Sequence, residues 1–315
     1  MAPLHPQARA VLDAIAASGI DGSKSPDIAE LRRLQEVEAR FSGPPQAVAA
    51  VRDESIDGPG GGLRIRMYLP RVETPRLALL FIHGGGWALG SVELSDHVCR
   101  ALCNASGAAV ASVDYRLAPE HPFPAALDDA FTALQWLRAR QDVERVAVCG
   151  ESAGGNLAAA LALLARDRGI DDLALQVLIY PALDPALHET SFATLATGYG
   201  LTRDDMRFFW DAYLLDSRDA TNPYAAPITV ANLSGVAPAY VLTAEYDPLV
   251  DEGERYARRI EEAGVNVELR RFEGMIHGFV SYLGAVDAAH EAIDACGRAL
   301  RNAMATQLPA HDGER

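Results

Sequence analysis

Short apolar runs alternate along the chain with longer segments whose apolar residues return every three or four positions. The runs "LALLFI" at 77–82, "AAVASV" at 108–113, "RVAVC" at 145–149, "LALQVLI" at 173–179, "AYVLTA" at 239–244 and "VNVELRRF" at 265–272 read as strands. Helical stretches separate most of them, which predicts an α/β fold: a mainly parallel sheet with helices on both faces. Upstream, "VRDESID" at 51–57 and "LRIRMYL" at 63–69 flank the glycine-rich "GPGGG", predicting an antiparallel hairpin at the sheet edge. Two amphipathic segments, 7–18 and 27–41, precede the hairpin. In the second, Ile28, Leu31, Leu34, Val37 and Phe41 recur at helical spacing behind Ser25 and Pro26, an N-cap followed by proline at the first helical position. The rhythm breaks between "LALQVLI" and "AYVLTA", where "MRFFWDAYLL" at 206–215 supplies an aromatic helix that the sheet does not require. Residues 187–221 are therefore expected to be an insertion that packs with residues 1–50 as a helical cap, over a core formed by 51–186 and 222–315.

Composition narrows the classes of function. With 315 residues, 49% of them hydrophobic, the chain has enough apolar material for one large domain. Its 28 Lys and Arg against 43 Asp and Glu leave a formal charge of -15, which repels a phosphate backbone and argues against nucleic-acid partners. Cys99, Cys103, Cys149 and Cys296 have neither the spacing of a disulfide framework nor that of a zinc site, and no His-Glu-x-x-His pattern occurs. Neither a metal nor an organic cofactor is expected. Arg9 and Asp13 interrupt the first apolar stretch, so it does not read as a signal peptide, and the apolar segment 157–165 is too short to span a bilayer. Those features lead us to expect a cytoplasmic protein without membrane attachment.

Candidate chemistry begins at "GESAGG", residues 150–155, between a strand and an alanine-leucine helix. In that context Gly-x-Ser-x-Gly forms a strained turn that raises a serine hydroxyl above the sheet. A serine needs a base within hydrogen-bond reach and a third group to orient that base. Four histidines follow Ser152: His188, His277, His290 and His311. His188 falls in the cap insertion, His290 in a helix pattern rich in Ala and Asp, and His311 in the tail, whereas His277 lies in the loop directly after the last strand, at the end where open parallel sheets gather ligands. Asp247 lies immediately beyond "AYVLTAEY", with Glu245 and Asp251 as rivals, and its neighbour Pro248 leaves open a plain N-capping role. "HGGGW" at 83–87 follows the first parallel strand. Its glycines let backbone N–H groups of Gly85 and Gly86 approach a ligand beside that of Ala153, while His83 shapes the loop.

These residues together resemble the hormone-sensitive lipase-like family of α/β-hydrolase carboxylesterases, in the bacterial branch that carries HGGG upstream of GDSAGG. "FIHGGGW", "VDYRLAPEHPFPAALDD", "GESAGGN", "LIYPALD", "YDPLVDEG" and "MIHGF" stand in family order over nearly the whole chain. The resemblance implies Ser152 as nucleophile, His277 as base, Asp247 as orienting acid and Gly85, Gly86 and Ala153 as oxyanion donors. It also implies a structural role for the Arg116, Glu120 and His121 loop, and a homodimer paired through the edge strand. One departure is visible: Glu151 replaces the usual aspartate before the serine.

The expected activity is hydrolysis of short- to medium-chain acyl esters. Trp87, Phe208, Phe209, Trp210 and Tyr213 are candidate pocket residues, although aromatic residues at helical spacing also serve as packing. A lipase for longer esters and a hydrolase-like receptor that binds small molecules without turnover are the alternatives.

Overall fold

The computed structural model describes residues 1–17, 28–72 and 76–305. Ser25, Pro26 and the start of the expected 27–41 helix lie outside the described residues. Helices α1 (Pro6–Ala17) and α2 (Ile28–Glu38) precede the hairpin of β1 (Ala50–Gly58) and β2 (Gly61–Leu69). The hairpin register pairs Gly58 with Gly61, so Pro59 and Gly60 make the turn. Then follow β3 (Leu77–Ile82), α3 (Asp96–Ser106), β4 (Ala109–Val113), α4 (Ala125–Arg138), β5 (Arg145–Glu151), α5 (Ala153–Asp167) and β6 (Leu173–Ile179). The interruption holds α6 (Ser191–Thr194) and α7 (Arg203–Tyr213), and the chain closes with β7 (Ala239–Tyr246), α8 (Val250–Glu262), β8 (Val267–Ile276) and α9 (Asp287–Ala305).

The strands form one 8-stranded sheet in the order β1-β2-β4-β3-β5-β6-β7-β8. Pairs β1–β2 and β2–β4 are antiparallel; the remaining pairs are parallel. Central strands are apolar on both faces because both faces are covered. In β3, Ala78, Leu80 and Ile82 join a core layer with α4, α5 and α8, whereas Leu77, Leu79 and Phe81 join the opposite layer with α1, α3 and α9. This is an α/β-hydrolase fold.

Strand β8 runs four residues past the expected end at Phe272. "EGM" looks like a turn in the sequence, but Gly274 adopts a positive φ of 69° and its N–H donates to the buried Glu245 carboxylate at 2.8 Å. Pairing with β7 then resumes at Tyr246 and Ile276 after a register shift. The bulge thus delivers the chain directly to position 277. Helix α7 starts where Thr202 and Asp205 form a reciprocal capping box, three residues before the aromatic run begins.

Candidate active site

Three strands end on one rim of the sheet and hand over to the residues that the sequence singles out. Strand β5 stops at Glu151, β7 at Tyr246 and β8 at Ile276, so Ser152, Asp247 and His277 each occupy the first position past a strand on the same rim. Ser152 has φ 55° and ψ -119°, an uncommon conformation for a residue with a side chain. Hydrogen bonds hold it there, from Ser152 N–H to Ile179 O at 2.9 Å and from Ala182 N–H to Ser152 O at 3.2 Å. A side chain at Gly154 would collide with the carbonyl of Ile82, so the close approach of α5 to β3 requires glycine.

His277 Nε2 lies 2.9 Å from Ser152 Oγ, and its Nδ1 lies 2.6 Å from Asp247 Oδ2. The fully buried Asp247 uses its other oxygen to accept the N–H of Leu249 at 2.9 Å. That second bond fixes the carboxylate, an arrangement suited to holding a proton on Nδ1 with the lone pair of Nε2 toward the serine. The rivals have other work: Glu245 binds the bulge at Gly274, and Asp251 accepts the N–H of Ser191 at 2.8 Å. His290 bonds the carbonyl of Leu283, and His311 lies outside the described residues.

Beside Ser152, Gly85 and Gly86 follow β3 with φ of 111° and 58°. The N–H groups of Gly85, Gly86 and Ala153 donate no hydrogen bond among the described residues, so all three remain available to a ligand. A side chain at Gly86 would enter the ring of Phe209 on α7. Trp87 secures the loop further by stacking on Tyr213 at 4.4 Å and packing against Trp210 at 4.3 Å. His83 is buried, stacks on Tyr115 and bonds Gly84 O at 2.9 Å; burial pushes its imidazole down to about 4, so it stays neutral. The loop at 116–121 is anchored by Arg116, which binds the buried Asp129 through two nitrogens.

Glu151, the departure noted in the sequence, ties two neighbouring segments to the serine turn. Its Oε2 accepts from the hydroxyls of Tyr180 at 3.0 Å and Ser281 at 3.2 Å. The Tyr180 ring lies 4.6 Å from the His277 ring, so this bond network reaches the base as well as the serine.

A cavity of about 590 Å³ opens over Ser152 and His277. Trp87 and Phe209 belong to its wall, but Phe208, Trp210 and Tyr213 do not. Trp210 and Tyr213 are spent on Trp87, and Phe208 packs edge-on against Phe209 at 5.7 Å. Sequence reasoning missed Gln35 and Glu38 of α2, which share the wall. Gln35 accepts the N–H of Gly90 at 2.9 Å, and Arg32 donates to Ala88 O at 3.1 Å, so α2 is bonded to the glycine loop. Nothing in the sequence marks these positions, because polar residues near a helix end are ordinary.

Among the described residues, no group of three or more His, Cys, Asp or Glu could hold a metal ion, and no helix is long and apolar enough to cross a membrane.

Comparisons with known proteins place the chain among ester hydrolases. Residues 79–281 match the model of a family described by its alpha/beta hydrolase fold. Carboxylic ester hydrolase LipN of Mycobacterium tuberculosis is 39% identical over 301 residues, covering 91% of this chain and 80% of LipN. An ethyl acetate hydrolase of Pseudomonas putida is 36% identical, covering 83% of this chain and 86% of that protein. The solved structure of a hyperthermophilic esterase from Pyrobaculum calidifontis superposes with a TM-score of 0.90 at 42% identity, over 96% of this chain and 99% of that one. The chain belongs to the hormone-sensitive lipase-like family of α/β-hydrolase carboxylesterases, and it is a carboxylic ester hydrolase.

Proposed function

We propose that the enzyme hydrolyses short- to medium-chain acyl esters through an acyl-enzyme on Ser152. The observation that carries this reading is the continuous hydrogen-bonded series from Asp247 through His277 to Ser152, beside three free backbone N–H groups. Ser152 Oγ attacks the acyl carbonyl while His277 Nε2 takes the hydroxyl proton. Charge develops on the former carbonyl oxygen, and the N–H groups of Gly85, Gly86 and Ala153 stabilise it. As the tetrahedral species collapses, the alkoxide leaves with the proton held by His277. Water then repeats the sequence on the acyl-enzyme and regenerates the serine. Asp247 keeps the imidazole in the useful tautomer and offsets the charge that the ring gains.

The bounded cavity supports the preference for shorter chains, and the relative named for ethyl acetate is consistent with it. We assign residues 1–50 and 187–221 to a cap over the core of 51–186 and 222–315; the bonds of α2 and the packing of α7 on the glycine loop support that division. The open edge of β8 supports a homodimer paired there.

A series of p-nitrophenyl esters from acetyl to palmitoyl tests the substrate reading. The expected kcat/KM is greatest at or below octanoyl and at least about tenfold lower for palmitoyl, since added methylenes gain nothing once the cavity is filled. Faster turnover of emulsified long-chain esters would replace this reading with that of a lipase.

A further inference from the structure

The cavity wall contains more carboxyl groups than the reaction uses, and nearly all are committed elsewhere. Asp13 pairs with Arg9 at 4.0 Å near the exposed mouth, and Asp205 closes the capping box of α7. Glu151 holds Tyr180 and Ser281. Glu38, the last residue of α2, is different. It is partly buried, lines the cavity that contains Ser152 and His277, and has neither a hydrogen bond nor an ion pair among the described residues. A carboxyl on a cavity wall that no neighbouring side chain engages is available to bond a ligand entering that cavity.

We propose that Glu38 is a specificity residue, selecting esters that carry a hydroxyl group on the acyl or alcohol part by accepting a hydrogen bond from it. This inference rests on the esterase reading of Ser152 and His277 and names the substrate class for that site. The surroundings favour a hydroxyl over a cation. Burial raises the Glu38 carboxyl to about 7; the field of His277 partly opposes the shift and that of Glu151 adds to it, and Tyr282 also lies within electrostatic reach. A hydroxyl both donates and accepts, so it pairs with either protonation state of a group titrating near neutrality. An ammonium group would pair well only with the ionised form. Apolar residues such as Leu31, Leu201 and Phe209 share the wall with Glu38, and an ester hydroxyl lodged against them would lose its water without a new partner, whereas one beside Glu38 gains an acceptor.

The test reads matched pairs of esters within one protein, so that differences in folding or expression cancel. Butane-1,4-diol monoacetate is compared with pentyl acetate, and ethyl 3-hydroxybutyrate with ethyl 3-methylbutyrate, by pH-stat at pH 8. Wild type, Glu38→Gln and Glu38→Leu are assayed, and a fluorophosphonate adduct at Ser152 verifies that each is folded. We expect the hydroxylated-to-alkyl ratio of kcat/KM to fall about tenfold from wild type to Glu38→Leu for at least one pair. Glu38→Gln keeps an acceptor but not the charge, and should fall about threefold; this variant decides the matter if Glu38→Leu takes no adduct. Ratios equal within about twofold in all folded proteins, for both pairs, would overturn the assignment of Glu38. A wild type that hydrolyses none of the esters and takes no adduct would instead defeat the esterase mechanism on which the inference rests.

Discussion

Replacing Asp247 with Asn gives a sharp test of how the base is held. The two carboxylate oxygens have different partners: Oδ1 accepts from Leu249 N–H at 2.9 Å and Oδ2 faces His277 Nδ1 at 2.6 Å. The position is fully buried, so the Leu249 donor has no water to turn to. An asparagine therefore keeps its single oxygen on Leu249 and turns its amide N–H toward His277. Nδ1 must then be the acceptor, the ring proton moves to Nε2, and the lone pair that should take the serine proton is gone. Shape and volume barely change. The expected loss is about 10⁴-fold in kcat, equivalent to about 5 kcal/mol of activation free energy, with KM little altered. Stopped-flow acylation by a chromogenic acetate would measure it, and fluorophosphonate labelling and a melting curve would establish that the variant is folded. A folded Asp247→Asn enzyme within tenfold of wild type would refute the argument that Asp247 sets the tautomer.

Other perturbations probe different parts of the site. Gly86→Ala forces a methyl into the Phe209 ring and should lower kcat about 100-fold by displacing a proposed oxyanion donor. Adding Phe209→Ala should recover part of that loss, and no recovery in steady-state kinetics would show that the contact is irrelevant. Glu151→Ala leaves the Tyr180 and Ser281 hydroxyls without their acceptor and should cost about 3 kcal/mol in urea unfolding; a change below about 0.5 kcal/mol would count against the tie. Burial raises the Glu38 carboxyl from 4.5 to about 7, so the folded state retains a proton there that the unfolded chain releases. Its contribution to stability consequently declines as the pH rises from 4.5 through 7. Relative to wild type, Glu38→Gln should gain up to about 3 kcal/mol between pH 4.5 and pH 8, measured by denaturant melts at both values. A difference independent of pH would contradict that shift.

The sequence exposes features set by short-range rules. Alternation of apolar runs and helices marks the sheet, because strands buried on both faces are predominantly apolar. The positive φ at Ser152 and the collision a side chain would cause at Gly154 explain why Gly-x-Ser-x-Gly is informative where it joins β5 to α5. Asp247 and His277 can be found because strand order places them on the same rim. Features set by long-range packing are hidden. The Gly274 bulge depends on Glu245 from another strand, so "EGM" falsely suggests an end to β8. Of the candidate pocket aromatics, Trp87 and Phe209 line the cavity while Trp210 and Tyr213 pack on Trp87, since a helical stripe of rings reads the same whether it faces a ligand or another ring. Glu38 and Gln35 gain meaning only from where α2 lands.

Intact-mass and peptide analysis after fluorophosphonate treatment tests the catalytic account most directly, because the reagent requires a hydroxyl that the protein itself makes nucleophilic. The account predicts one adduct per chain, on Ser152, lost in Ser152→Ala together with ester hydrolysis and strongly slowed in His277→Ala. Folded protein that hydrolyses esters while Ser152 remains unlabelled, or a Ser152→Ala variant with undiminished turnover, would contradict it.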